Sequence, residues 1–256
     1  MNRFGVFAKT FLRPSIKEVL DAVIAHGFDC VQFNMACAGL PALPESVPDE
    51  VVQTILDSKL YVAATSGTFN IIDADLARCE RNLERLGVLA SFCAAAGCPI
   101  ITLCSGTRDP VDMWREHPEN GSPEAWSDMI GALEAALRVT EAFDITLGIE
   151  PEPANVIGDA GRARRMLDEM QSPRLKIVMD GANILAPLAE AFDLLGPDIV
   201  LVHAKEPVDR KMDWPHYFAL IRECGYHGPI ILHGFPESDV ADALRRMRSQ
   251  NIFQRN

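Results

Sequence analysis

Four side chains that can bind a metal ion follow four consecutive apolar runs in the second half of the chain. They are Glu150 after Ile145–Ile149, Asp180 after Lys176–Met179, His203 after Ile199–Val202, and His233 after Ile230–Leu232. A single acid or histidine at such a position is commonly a solvated loop residue, but four in succession point to a shared role. Carboxylate oxygens and imidazole nitrogens together are typical ligands of manganese, cobalt, iron, zinc or magnesium. The pattern therefore predicts a divalent-metal site, with Glu152 as a further carboxylate nearby.

The elements that must position these side chains alternate along the whole chain. Four more apolar runs precede those above: Phe4–Ala8, Cys30–Asn34, Tyr61–Thr65 and Ile100–Cys104. Amphipathic patterns between the runs predict helices from Ser15, over 75–96, 123–143, 159–170, 187–195, 214–224 and 238–247. A strand–helix unit repeated eight times in about 250 residues is typical of a (β/α)8 barrel, in which functional residues lie at the carboxyl ends of the strands.

We therefore predict an α/β protein with one TIM barrel domain over residues 1–256. The apolar runs fit parallel strands that are buried on both faces. An open doubly wound sheet is less favoured, because no glycine-rich turn follows the first strand in Ala8-Lys9-Thr10-Phe11. A loop insertion near 107–122 carries Trp114 and His117, which we predict to contact substrate as part of a lid. A packed surface excursion is the alternative for this loop.

Several segments resemble the xylose-isomerase-like TIM barrel superfamily of sugar phosphate isomerases and epimerases. The segments that carry the resemblance are Gly148–Glu152, Val178–Asn183, Leu201–Glu206, Arg210 with Met212–Trp214, and Gly225–Pro229. The resemblance implies a divalent metal, often manganese, held by Glu, Asp, His and Glu after strands five to eight. Glu150, Asp180 and His203 match the first three ligands, whereas His233 stands where the second Glu is expected.

Other site residues also follow from the resemblance. Arg210 matches an arginine that contacts substrate in such epimerases, and Asn183 replaces the histidine of an Asp-x-x-His pattern. With Lys205 and Glu152, these residues are expected to orient hydroxyls or an anionic group of a small sugar-like substrate. Homo-oligomers are common in the superfamily, so the resemblance leaves a homo-oligomer open here.

The expected reaction is isomerisation or epimerisation of a small sugar, sugar phosphate or polyol by proton transfer through an enediolate. Glu150 is the predicted base, and His233 is a candidate for the second proton carrier. Because His233 replaces a carboxylate, two alternatives stay open. One is a metal-dependent dehydratase of a polyol or inosose-like substrate, and the other is a barrel that binds a sugar without catalysis.

Composition excludes other classes of partner. The net charge of −12 opposes binding to a nucleic acid, and six histidines are few for a trinuclear apurinic endonuclease. No apolar run approaches the roughly 20 residues of a membrane helix. Neither a signal-peptide core nor a CxxC pair occurs, so we expect a cytoplasmic protein with its seven cysteines reduced.

Overall fold

Eight parallel strands close into a barrel in the computed structural model, which describes residues 2–185, 187–206 and 211–250. The strands are β1 (Phe4–Phe7), β2 (Cys30–Phe33), β3 (Tyr61–Ser66), β4 (Ile100–Cys104), β5 (Thr146–Glu150), β6 (Leu175–Asp180), β7 (Ile199–Ala204) and β8 (Ile230–Leu232). They pair in chain order, and Gly5 of β1 lies opposite both Cys30 of β2 and Ile231 of β8. The predicted (β/α)8 barrel is therefore confirmed.

Eight α-helices surround the barrel and connect its strands. They are α1 (Ile16–Ala25), α2 (Asp49–Ser58), α3 (Leu76–Ala95), α4 (Pro123–Thr140), α5 (Ala160–Met170), α6 (Leu188–Leu195), α7 (Trp214–Glu223) and α8 (Glu237–Ser249). Seven correspond to the amphipathic patterns, and α2 is the one for which the sequence predicts no bounds. None of the helices in the described ranges is long and apolar enough to cross a membrane.

Alternation along the strands decides which side chains face the barrel interior. A small apolar cluster separate from the main core includes Val178, Leu201 and Ile231. Each of these residues precedes a predicted ligand by two positions, and strand residues two apart share a face. This places Asp180, His203 and His233 on the same inner face, one layer above an apolar floor.

Ion pairs at the opposite end of the barrel stabilise the start of β6 and β7. Asp198 accepts hydrogen bonds from Lys176 Nζ at 2.7 Å and from Arg164 Nη1 at 2.8 Å. Burial raises the pKa of Asp198, but these two cations outweigh it and hold the pKa below its usual value. The carboxylate is therefore ionised through the neutral and mildly acidic range.

Asp198→Asn is expected to lower the free energy of unfolding by about 1 kcal/mol at neutral pH, because two charge-assisted hydrogen bonds weaken at a partly solvated site. Since the folded-state pKa is depressed, this contribution is present above the unfolded-state pKa of about 3.9 and is lost as the pH falls through the folded-state value. Urea unfolding at neutral pH and near pH ~3 measures it. Asp168→Asn, which removes an exposed partner of the same Arg164, is the control and should change little. If the difference in free energy of unfolding between the wild-type and Asp198→Asn proteins were as large in acid as at neutral pH, the ion pairs of Asp198 would not be its cause.

Candidate metal centre and active site

Three of the four predicted ligands converge at the carboxyl ends of neighbouring strands. Asp180, His203 and His233 each offer a donor atom, and these atoms lie within 4.8 Å of one another. The barrel register explains the convergence, because Asp180 pairs with His203 and the His233 amide donates to Ala204 O at 3.0 Å. The sequence prediction that these strand ends meet is consistent with this geometry.

Glu150 lies beside this group and contacts it through His203. Its Oε1 accepts from Asn183 Nδ2 at 3.1 Å and lies 3.3 Å from His203 Nδ1. The other ring nitrogen of His203, Nε2, is 2.8 Å from Oε1 of the buried Gln32 in β2. His203 is thus held from both sides, between a carboxylate of β5 and an amide from across the barrel.

Two buried polar atoms of the cluster have no partner other than one ammonium group beside the first of them. They are Oδ2 of Asp180 and Nδ1 of His233. Lys205 Nζ lies 3.0 Å from that Asp180 oxygen and donates to Asn183 Oδ1 at 2.9 Å. Because unpaired polar atoms are costly to bury, the open imidazole nitrogen of His233, near a carboxylate oxygen whose charge is met only by Lys205, fits a cation ligand site. Asp180, His203 and His233 therefore suit a divalent metal, because a carboxylate oxygen and imidazole nitrogens can each offer it a lone pair.

A cavity of about 400 Å³ opens above these residues. Glu150, Glu152 and His233 line one side of it. The other side is formed by the first four strands and their loops, with Phe7, Lys9, Gln32, Asn34, Met35, Ala36, Ala42, Ser66, Thr68, Thr102 and Trp114. Hydroxyls, amides, an ammonium and two aromatic rings surround a volume suited to a small polar molecule.

The two glutamates that line the cavity have pKa values shifted in opposite directions. Burial raises the pKa of Glu150, but the charge and hydrogen bond of His203 outweigh it and lower the pKa below its usual value. Burial and the Glu150 carboxylate raise the pKa of Glu152 to about 8. One carboxylate is therefore an ionised base and the other carries a proton at neutral pH, a split that suits acid–base chemistry.

The pKa values of the two histidines shift in opposite directions. Burial lowers the pKa of His203, yet the neighbouring Glu150 carboxylate raises it above the usual value. Burial and the charge of His203 lower the pKa of His233 to about 3, and its ring stacks on Phe7 with centroids 4.4 Å apart. At neutral pH His233 is a neutral imidazole, which suits a ligand or a proton acceptor.

Tyr217 of α7 fixes the backbone behind the cluster. Its hydroxyl oxygen lies 3.0 Å from His203 O and 3.2 Å from Met179 O, and it accepts from Gly181 N at 3.1 Å. Gly181 is required at this point, because a Cβ there would lie 2.5 Å from the tyrosine ring. The sequence prediction missed Tyr217, since one tyrosine in an amphipathic helix gives no signal of where its hydroxyl bonds.

Of the predicted substrate-contacting residues Trp114, His117 and Arg210, only Trp114 lies in the cavity among the described residues. Trp114 of the 107–122 loop lines the cavity and is half exposed. His117 caps a short 3-10 helix instead, with Nδ1 accepting from Glu119 N at 3.3 Å. Arg210 lies outside the described residues. Gln32 was missed by the sequence prediction, although a glutamine inside the apolar run Cys-Val-Gln-Phe was a visible signal.

Comparison with protein families identifies the fold family. The model of the xylose isomerase-like TIM barrel family matches residues 20–250. The chain belongs to this family. No curated protein sequence matches the chain significantly.

Solved structures similar to this xylose isomerase-like barrel include two sugar epimerases. The apo 3-keto-D-glucoside 4-epimerase from E. coli has a TM-score of 0.77 and 19% identity, covering 97% of this chain and 100% of its own. An L-ribulose 3-epimerase has a TM-score of 0.76 and 19% identity, covering 100% of this chain and 88% of its own. At these identities the similarity establishes the shared family fold.

Proposed function

We propose that the protein is a divalent-metal-dependent isomerase or epimerase of a small sugar, sugar phosphate or related polyol. The observation that carries the proposal is the meeting of Asp180, His203 and His233 beside Glu150, where Glu150 and His233 line a cavity. Sugar epimerases among the structural neighbours have the same fold and support the choice of substrate class.

Asp180, His203 and His233 would hold the metal, with Glu150 as the adjacent carboxylate. Manganese is the ion we propose first, and magnesium, cobalt, zinc or iron are the alternatives of the same ligand class. When bound, the ion supplies positive charge that stabilises the oxyanion developing on a substrate carbonyl or hydroxyl.

The chain's own residues would then move the proton. Glu150 is ionised and can remove a proton from a carbon next to a carbonyl. Glu152 lines the same cavity and is the carboxyl group that would return a proton, so the pair would cover both halves of a proton transfer through an enediolate. Lys205 and Asn183, which bond to each other, would orient substrate hydroxyls or an anionic group.

When Mn²⁺ is present, the wild-type protein should exchange the hydrogen on the carbon next to the carbonyl of a ketose for deuterium from the solvent. D-Fructose, D-allulose and L-ribulose are suitable probes, because the proposal requires only a carbonyl next to a C–H bond. Mass spectrometry detects a gain of one deuterium, and protein treated with a chelator is the control. Exchange that is equal with and without metal, or absent from a wide panel of sugars and sugar phosphates, would contradict the proposal.

A dehydratase is the second candidate, and an imidazole, His233, in the same cavity as Glu150 and Glu152 favours it. Loss of water needs a base for the C–H bond and an acid for the departing hydroxyl, which Glu150 and Glu152 can supply. The same assay separates the two candidates, because isomerisation conserves mass whereas dehydration removes one water from the product.

A further inference from the structure

Gln32 is a fully buried glutamine on the inner face of β2, across the barrel from the metal-binding cluster. Its Nε2 donates to Ser66 Oγ at 3.0 Å and to Thr102 Oγ1 at 3.2 Å. Its Oε1 lies 2.8 Å from Nε2 of His203. The side chain therefore uses both donors and its acceptor, and each bond is with a polar residue of a different strand.

These three contacts favour a hydrogen on Nε2 of His203. An amide oxygen only accepts hydrogen bonds, so Nε2 of His203 must carry a hydrogen to donate to Gln32 Oε1. The hydroxyls of Ser66 and Thr102 hold the amide nitrogen on the far side and keep the oxygen toward the ring. Nδ1 is consequently the nitrogen that faces Glu150, 3.3 Å from its Oε1.

We infer that Gln32 is a positioning residue, which fixes the His203 ring and reserves Nδ1 for the metal ion. This inference rests on the proposed function. Histidine ligands commonly donate their second ring N–H to an oxygen that orients them, and losing that oxygen weakens metal binding about 10- to 100-fold. Here the oxygen comes from a neutral amide of β2, three strands away from the nearest predicted ligand, Glu150 of β5, in chain order.

The orientation depends on the whole chain of bonds and not on Gln32 alone. Ser66 and Thr102 belong to β3 and β4, and both line the cavity. Without their oxygens the amide can rotate and present its NH₂ group to the ring, which then favours the opposite tautomer of His203. Loss of the two hydroxyls should therefore act in the same direction as loss of Gln32, but more weakly.

Gln32→Met removes the acceptor while keeping the length of the side chain, and Gln32→Glu keeps an acceptor oxygen. Ser66→Ala with Thr102→Val is the second test and serves if Gln32→Met does not fold. Thr65→Val is the matched control, because Thr65 is equally buried in β3 and bonds to Cys98 instead of to the cluster. Two quantities are measured: the ¹⁵N chemical shifts of the His203 ring in metal-free protein, and the Kd for Mn²⁺.

We expect a hydrogen on Nε2 of His203 in the wild-type and Thr65→Val proteins, and a mixture of tautomers in Gln32→Met. The Kd for Mn²⁺ should rise about 10- to 100-fold in Gln32→Met and stay close to the wild-type value in Gln32→Glu and Thr65→Val. Wild-type protein without a hydrogen on Nε2, or Gln32→Met with unchanged Mn²⁺ affinity, would overturn the inference. If the tautomer shifts as expected but wild-type protein binds no divalent metal, the positioning of His203 stands and the proposed function fails.

Discussion

Glu150→Gln is expected to lower the turnover of the enzyme by about three orders of magnitude, within the range of general-base contributions. An amide has nearly the shape of the carboxylate but cannot accept the substrate proton. The substitution also removes the negative charge beside His203, whose ring nitrogen lies 3.3 Å away. Turnover and solvent-deuterium incorporation, measured on whichever probe sugar the wild-type protein uses, test this result.

Two comparisons make the Glu150 result specific. Glu169→Gln changes a partly exposed glutamate that bonds to Trp126 on the outer helices, and should leave turnover unchanged. Glu150→Asp keeps the charge but shortens the reach, so it should retain Mn²⁺ binding better than Glu150→Gln. Turnover within tenfold of wild type in a folded Glu150→Gln protein would rule out Glu150 as the base.

Tyr217→Phe is expected to lower the free energy of unfolding by roughly 1–3 kcal/mol, because buried carbonyls and an amide lose their shared hydroxyl. The lost contacts are with Met179, Gly181 and His203, which adjoin or carry the cluster. We therefore expect weaker Mn²⁺ binding as well as lower stability. Thermal unfolding and Mn²⁺ titration measure the two effects separately.

Tyr226→Phe provides the matched control for Tyr217. The Tyr226 hydroxyl is bonded to Val200 O and Pro229 O at the starts of β7 and β8, at the other end of the barrel. Its loss should reduce stability by a similar amount and leave the Mn²⁺ affinity unchanged. Equal effects of both substitutions on Mn²⁺ binding would show that Tyr217 contributes only general stability.

The sequence predicts the strands and helices of the barrel well, because the spacing of apolar residues and the turn residues between them can be read from neighbouring positions. The predicted bounds of β4 and β8 are those observed, and most other elements differ by one or two residues. The predicted β6 ends at Met179, whereas the strand continues through Asp180. The predicted strand stops before Asp180 because that side chain is polar, but the backbone of Asp180 still pairs with His203 of β7. A strand can therefore include its functional residue.

The contacts that orient the cluster could not be predicted, because they join residues distant in sequence. Gln32 and His203 are 171 positions apart, and their contact depends on the closure of the barrel. The bounds of α2 were missed although the signal is local: Val51 and Ile55 recur at helical spacing directly after Pro48.

The lining of the cavity divides between the two halves of the barrel, and the division separates two kinds of substitution. Residues from Phe7 to Trp114 build most of its wall, whereas Glu150, Glu152 and His233 come from the second half. Substitutions in the first half can therefore reshape the cavity without replacing these two carboxyl groups or this imidazole. Gln32 is the exception, since this residue of the first half contacts His203 directly.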